Sequence, residues 1–206
     1  MYQTIKLGSI KTSRTELIDI AKAWIAISLA FAFIFSGISL LDGTIGRVAT
    51  FSFVITLFIS LFTAGIGFLL HELAHKFTAQ HYGCTAEFRA FDQMLYFAVG
   101  MAAIIGFLFA APGAVMIAGQ VTRKENGVIS AAGPLTNYAL ALVFLALEFL
   151  MPAGRIIWSS GLSINIWLGL FNMLPFWNFD GKKIWSWNPL IWGAMVACGV
   201  LFMVVF

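Results

Sequence analysis

"MLYFAVGMAAIIGFLFAAPGAVMIAG", residues 94–119, decides how this chain is arranged. At 26 residues it exceeds the roughly 20 apolar residues that a membrane-crossing helix needs. Gly100, Gly106 and the Pro112-Gly113 pair interrupt it, however, and a proline inside a helix removes a donor and tends to end the helix. The short piece after that proline, "GAVMIAG", is compatible with extended chain. Either the stretch crosses a bilayer, or it enters and leaves on one side.

The rest of the chain establishes that a bilayer is involved. Of 206 residues, 61% are hydrophobic and 10% charged, with a mean hydropathy of +0.93. Soluble domains carry about 25% charged residues, so lipid is the expected solvent. Apolar runs long enough to span occupy 17–41, 48–70, 128–150, 157–176 and 187–206. The expected fold is an all-α polytopic membrane protein. It has about five to six transmembrane helices, with a re-entrant or short β segment near an active site. Residues 1–206 read as a single domain, without repeats, and the polar first 16 residues lack a signal-peptide core.

Charge chooses between the two readings of 94–119. If the stretch crosses, the loop cations divide six against five and set no orientation. If it re-enters, Lys6, Lys11, Arg14, Lys76, Arg89, Arg123, Lys124, Lys182 and Lys183 share one side, against Arg47 and Arg155 on the other. Nine against two matches the excess of cations on cytoplasmic loops, with a cytoplasmic N-terminus and multi-pass insertion in the cell membrane. The re-entrant reading is therefore preferred. Irregular backbone at that depth requires cover from protein or a water-filled cavity.

Into this apolar chain is set "HELAH", residues 71–75, at the end of the second run. Residues four apart share a helix face, so His71 and His75 can reach one metal ion, with Glu72 beside them. The pattern is that of zinc hydrolases, and its three fixed letters arise by chance in about 0.1% of chains of this composition. Helix-end histidines beside a snorkelling glutamate are the bland alternative, disfavoured because ionisable groups inside a bilayer are costly. A catalytic zinc wants a third protein ligand. His81 has metzincin spacing from His71. Thr78, however, stands where that pattern places its turning glycine, and on a continuing helix His81 faces elsewhere. Asp180 is the other candidate.

Three motifs together resemble the site-2 protease family of intramembrane zinc metalloproteases. They are HELAH, "SAAGPLTN" at 130–137, and the segment carrying Asn172, Pro175, Asp180 and Gly181. They cover roughly residues 50–185. The resemblance implies Zn2+ held by His71, His75 and Asp180, with Glu72 as general base and later proton donor. It implies that Asn172 positions or polarises the scissile carbonyl. It also implies transmembrane protein substrates, cut in or near their membrane segments. Lys182 replaces the second glycine of the family's usual D-G-G, and Asn178-Phe179 precede Asp180. An extended substrate would pair with a strand edge, for which "GAVMIAG" and "AEFRAFD" (86–92) are the candidates.

Other function classes fit less well. A catalytically inactive metal-binding scaffold has no physical need for Glu72. A di-iron oxidase needs more ligands than three histidines in total allow. A transporter is expected to show paired broken helices from an internal repeat. Nothing marks a nucleic-acid partner, and no motif speaks to oligomeric state. Cys84 and Cys198 read as free thiols, Asn137 as a hydrogen bonder across helices, Glu148 as snorkelling, and the clustered tryptophans as an interfacial belt.

Overall fold

Ser13 begins the first long helix, and its hydroxyl accepts the Glu16 N–H at 3.2 Å. In the computed structural model, which describes residues 4–7, 10–108 and 112–206, this helix (α1) runs Arg14–Ser36. The apolar run continues to 41, yet the helix stops at Gly37. Gly37 takes a left-handed φ of 59°, and Ile38 N–H closes back on Phe33 O at 3.1 Å. Ahead of α1, strands β1 (Thr4–Leu7) and β2 (Ile10–Ser13) pair antiparallel, with Leu7 opposite Ile10. The polar N-terminus gives no sign of this ribbon, and residues 1–3 and 8–9 of it lie outside the described residues.

The chain falls into two compact units, Met1–Leu69 with Phe88–Ala114, and Leu70–Glu87 with Val115–Phe206. In the first, α1 packs against α2 (Phe51–Ser60) and a π-helical turn at Leu61–Gly65. The Trp24 indole N–H donates to Leu61 O in that turn at 3.0 Å. Helix α3 (Ile66–His81) follows directly in sequence and carries the chain into the second unit. Lys22, which the sequence sets inside the first span, pairs with Asp92 at 2.7 Å and Asp19 at 3.4 Å.

Residues 94–119 divide where Gly106 and Pro112 stand. Helix α4 (Asp92–Ile105) has 14 residues, about 21 Å at 1.5 Å each, which is short of a ~30 Å hydrocarbon core. After it, β4 (Gly113–Ala118) pairs with β3 (Thr85–Ala90), the strand that precedes α4. Phe91 N–H donates to Pro112 O at 3.0 Å. Strand β4 thus brings the chain back beside the strand that precedes α4; residues 109–111 of the stretch lie outside the described residues.

The second unit is built on α5 (Arg123–Leu150), α6 (Arg155–Asn172), α7 (Asp180–Trp187) and α8 (Pro189–Val205). Thr122 and Glu125 form a reciprocal capping box, so α5 starts five residues before the expected span at 128. Pro134 therefore lies well inside the helix. A 3-10 turn at Pro152–Gly154 folds α6 back on α5, burying Ala141, Phe144, Leu162 and Ile166. Met173, Ile184, Ala131 and Met195 form a second core beneath α7.

Three helical runs among the described residues are long and apolar enough to cross a membrane: Arg14–Ser36, Phe51–His81 and Arg123–Leu150. Helices α6 and α8, with 18 and 17 residues, are shorter than their apolar runs suggested. Large apolar side chains such as Leu150, Leu190 and Val204 lie outside, at 77–84% exposure, while His71, His75, Asn137, Asn165, Glu16 and Asp180 lie inside. That inversion of the soluble pattern marks a membrane protein.

Candidate metal centre

Helix α3 presents His71 and His75 one turn apart, with their rings edge to face and their Nε2 atoms 3.1 Å from each other. Asp180, the first residue of α7, brings Oδ2 to 3.2 Å from His71 Nε2 and 3.1 Å from His75 Nε2. All three side chains are buried, at 4%, 8% and 7% exposure. The Asp-Gly pair explains how α7 comes so near: a Cβ on Gly181 would strike the backbone of Met173 at the end of α6.

The outer nitrogens of both rings are occupied. His75 Nδ1 meets Ile129 O at 2.8 Å, and His71 Nδ1 meets Asn137 Oδ1 at 2.6 Å. Both partners are oxygens that only accept, so each Nδ1 carries a proton, and each ring, when neutral, turns an Nε2 lone pair inward. Three acceptors then converge: two nitrogens and a carboxylate oxygen. Such a set attracts positive charge to its focus.

The donor set fits a zinc ion. Two ligands at 2.0–2.1 Å from a tetrahedral ion stand about 3.3–3.4 Å apart, within a few tenths of an ångström of the spacing here. Space is kept for it as well: a Cβ on Gly133 of α5 would come within 2.5 Å of both Nε2 atoms. Among the described residues these three side chains are the group able to hold a metal ion.

Comparison with known proteins bears on the same chemistry. A Methanocaldococcus jannaschii protein named "Putative zinc metalloprotease MJ0611" is 41% identical over 190 residues, covering 90% of this chain and 91% of its own length. The chain belongs to this family of zinc metalloproteases. A second relative from that organism, "Zinc metalloprotease MJ0392", is 24% identical over 160 residues, covering 76% of this chain and 39% of its own length. No family model and no solved structure matches.

Around the centre of this metalloprotease, the sequence candidates separate. Glu72 is half-buried beside the two histidines and accepts a hydrogen bond from the backbone of Val115 in β4. Asn172 ends α6, with one Nδ2 hydrogen given to Leu168 O at 2.9 Å. His81 is exposed at the end of α3, its ring against Tyr82, as its position around the helix predicts. Asn137 does bond across helices, but its partners include His71, which the sequence reading missed. Gly133 and Asn137, four apart on α5, share a face. That spacing inside "SAAGPLTN" was the available signal.

Proposed function

We propose that this metalloprotease works inside the bilayer, as an intramembrane zinc endopeptidase of the site-2 protease type, cutting transmembrane segments of other membrane proteins. The observation that carries the reading is the buried convergence of Asp180 with His71 and His75, which lie beside Glu72 on a helical run apolar enough to cross a membrane. In this reading the chain crosses five or six times with its N-terminus in the cytoplasm, and 94–119 re-enters on the cytoplasmic side. His71, His75 and Asp180 hold the metal.

Zinc in this cradle would supply a Lewis acid that makes water nucleophilic near neutral pH. Glu72 takes the proton from the attacking water and returns it to the leaving amine. Asn172 keeps a second Nδ2 hydrogen with which to polarise the scissile carbonyl. A helical substrate hides its carbonyls in hydrogen bonds, so the segment to be cut must become extended. The edge of β4 supports that step: Val115 turns its N–H toward Glu72, so a peptide strand added there would run past the base.

The test is cleavage of a panel of fluorogenic single-span peptides by the purified chain in liposomes. The intact protein cleaves at least one peptide. Glu72→Gln keeps its zinc and slows cleavage about 10²- to 10⁴-fold, the usual worth of a general base. Cleavage by Glu72→Gln at the unmodified rate would refute the mechanism.

A further inference from the structure

We propose that Asn137 and Asn165 form a one-way hydrogen-bond relay that sets the tautomer of His71, making Asn165 a positioning residue for the metal centre although it does not touch His71. The proposal rests on the reading of His71 as a metal ligand. The relay has three links. His71 Nδ1 lies 2.6 Å from Asn137 Oδ1, Asn137 Nδ2 donates to Asn165 Oδ1 at 3.0 Å, and Asn165 Nδ2 donates to Gly161 O at 2.8 Å. Both asparagines are fully buried.

Direction follows from the far end. Gly161 O is a carbonyl and can only accept, so Asn165 must present its NH2 group there and its oxygen to Asn137. Asn137 must then give its NH2 group to that oxygen, leaving its own oxygen for His71. Turning Asn137 over would set its oxygen against Asn165 Oδ1. Turning both over would set Asn165 Oδ1 against Gly161 O. Every other arrangement places two acceptors face to face in a buried site, where an unmade hydrogen bond is expensive. Only the observed order is consistent, and it requires the proton of His71 on Nδ1 and the lone pair on Nε2, toward Asp180.

His75 reaches the same state without such a relay, because its Nδ1 meets a backbone carbonyl that cannot turn over. The two histidines therefore respond differently to one change. Asn165→Ala removes the acceptor that orders the Asn137 amide, which can then present its NH2 group to His71 Nδ1 and move the ring proton to Nε2. The metal-facing lone pair is then lost on His71 and kept on His75.

The experiment is ¹⁵N NMR of the ring nitrogens in histidine-labelled, metal-free full-length protein in detergent at alkaline pH, where neutral rings report their tautomer. Three histidines in the chain make assignment by single substitution practical. In the unmodified protein His71 shows a protonated Nδ1 and a bare Nε2. In Asn165→Ala the His71 signals become a mixture of tautomers while those of His75 do not move. Zinc affinity, measured by chelator competition, falls about 10- to 100-fold, the usual worth of an outer partner of a metal-ligating histidine. Asn165→Ser, whose hydroxyl both accepts and donates, recovers part of both effects.

A merely structural role for Asn165 would weaken zinc binding without changing the His71 tautomer, and that result overturns the relay. So does a protonated Nε2 on His71 in the unmodified protein, whether or not the variant folds. Failure of the metal reading looks different: the relay tautomers are present and respond to Asn165→Ala, but the unmodified protein binds no zinc.

Discussion

Glu16 and Asp180 are both buried carboxylates, one in each compact unit, and they meet opposite kinds of partner. Glu16 accepts from donors: the Thr12 hydroxyl at 2.7 Å and the Phe88 backbone N–H at 2.8 Å. Those bonds join β2, α1 and β3 through one side chain. Asp180 lies 3.9 Å from Lys183 Nζ through Oδ1, but its Oδ2 faces two imidazole nitrogens whose outer protons are already spent on Ile129 O and Asn137 Oδ1. A carboxylate among donors is a structural tie. A carboxylate oxygen turned toward two ring lone pairs leaves a place for a cation between them, and that difference separates the scaffold from the site.

The contrast breaks most sharply if Asp180 proves to be a tie as well. Asp180→Ala is expected to lower bound zinc in the detergent-purified protein from about one ion per chain to background. His81→Ala leaves the zinc content unchanged. Elemental analysis of the two variants beside the unmodified protein decides it. Zinc kept without Asp180 and lost without His81 would move the third ligand to the end of α3.

A smaller effect tests whether the space between the histidines is reserved. Gly133→Ala pushes a methyl group against both Nε2 atoms. Overpacking of this kind costs about 1–3 kcal/mol, or roughly 5- to 150-fold in zinc affinity when it falls on the bound state alone. Chelator competition measures it. Unchanged affinity would mean that the ion sits away from α5, and the fit drawn from Gly133 would fail.

What could be read from the chain follows the range of the interactions. HELAH needs only helical periodicity to place His71 and His75 on one face, and Gly106 with Pro112 divides 94–119 by local backbone preference alone. Helix ends were harder. The Thr122–Glu125 box and the closure at Gly37 set them by hydrogen bonds, whereas apolar runs report only where lipid is tolerated. The Asn137–Asn165 contact spans 28 positions between two helices, and Asn165 has no local pattern that distinguishes it from any polar residue at a helix interface. Likewise β1 and β2 are four residues each, too short for alternation to show.

Glu16→Ala is the smallest change and the cleanest control for the comparison. It leaves the Phe88 N–H buried without this acceptor and removes the Thr12 contact. An orphaned donor of that kind costs about 1–3 kcal/mol, seen as a lower unfolding midpoint of the detergent-solubilised protein. The folded fraction should still hold about one zinc per chain, because none of the three metal-facing donors changes. A Glu16→Ala protein of normal stability would show that the carboxylate does little to join β2, α1 and β3. One that unfolds at the usual midpoint yet loses its zinc would place Glu16 in the site's machinery, and the division between a tie and a ligand would have to be redrawn.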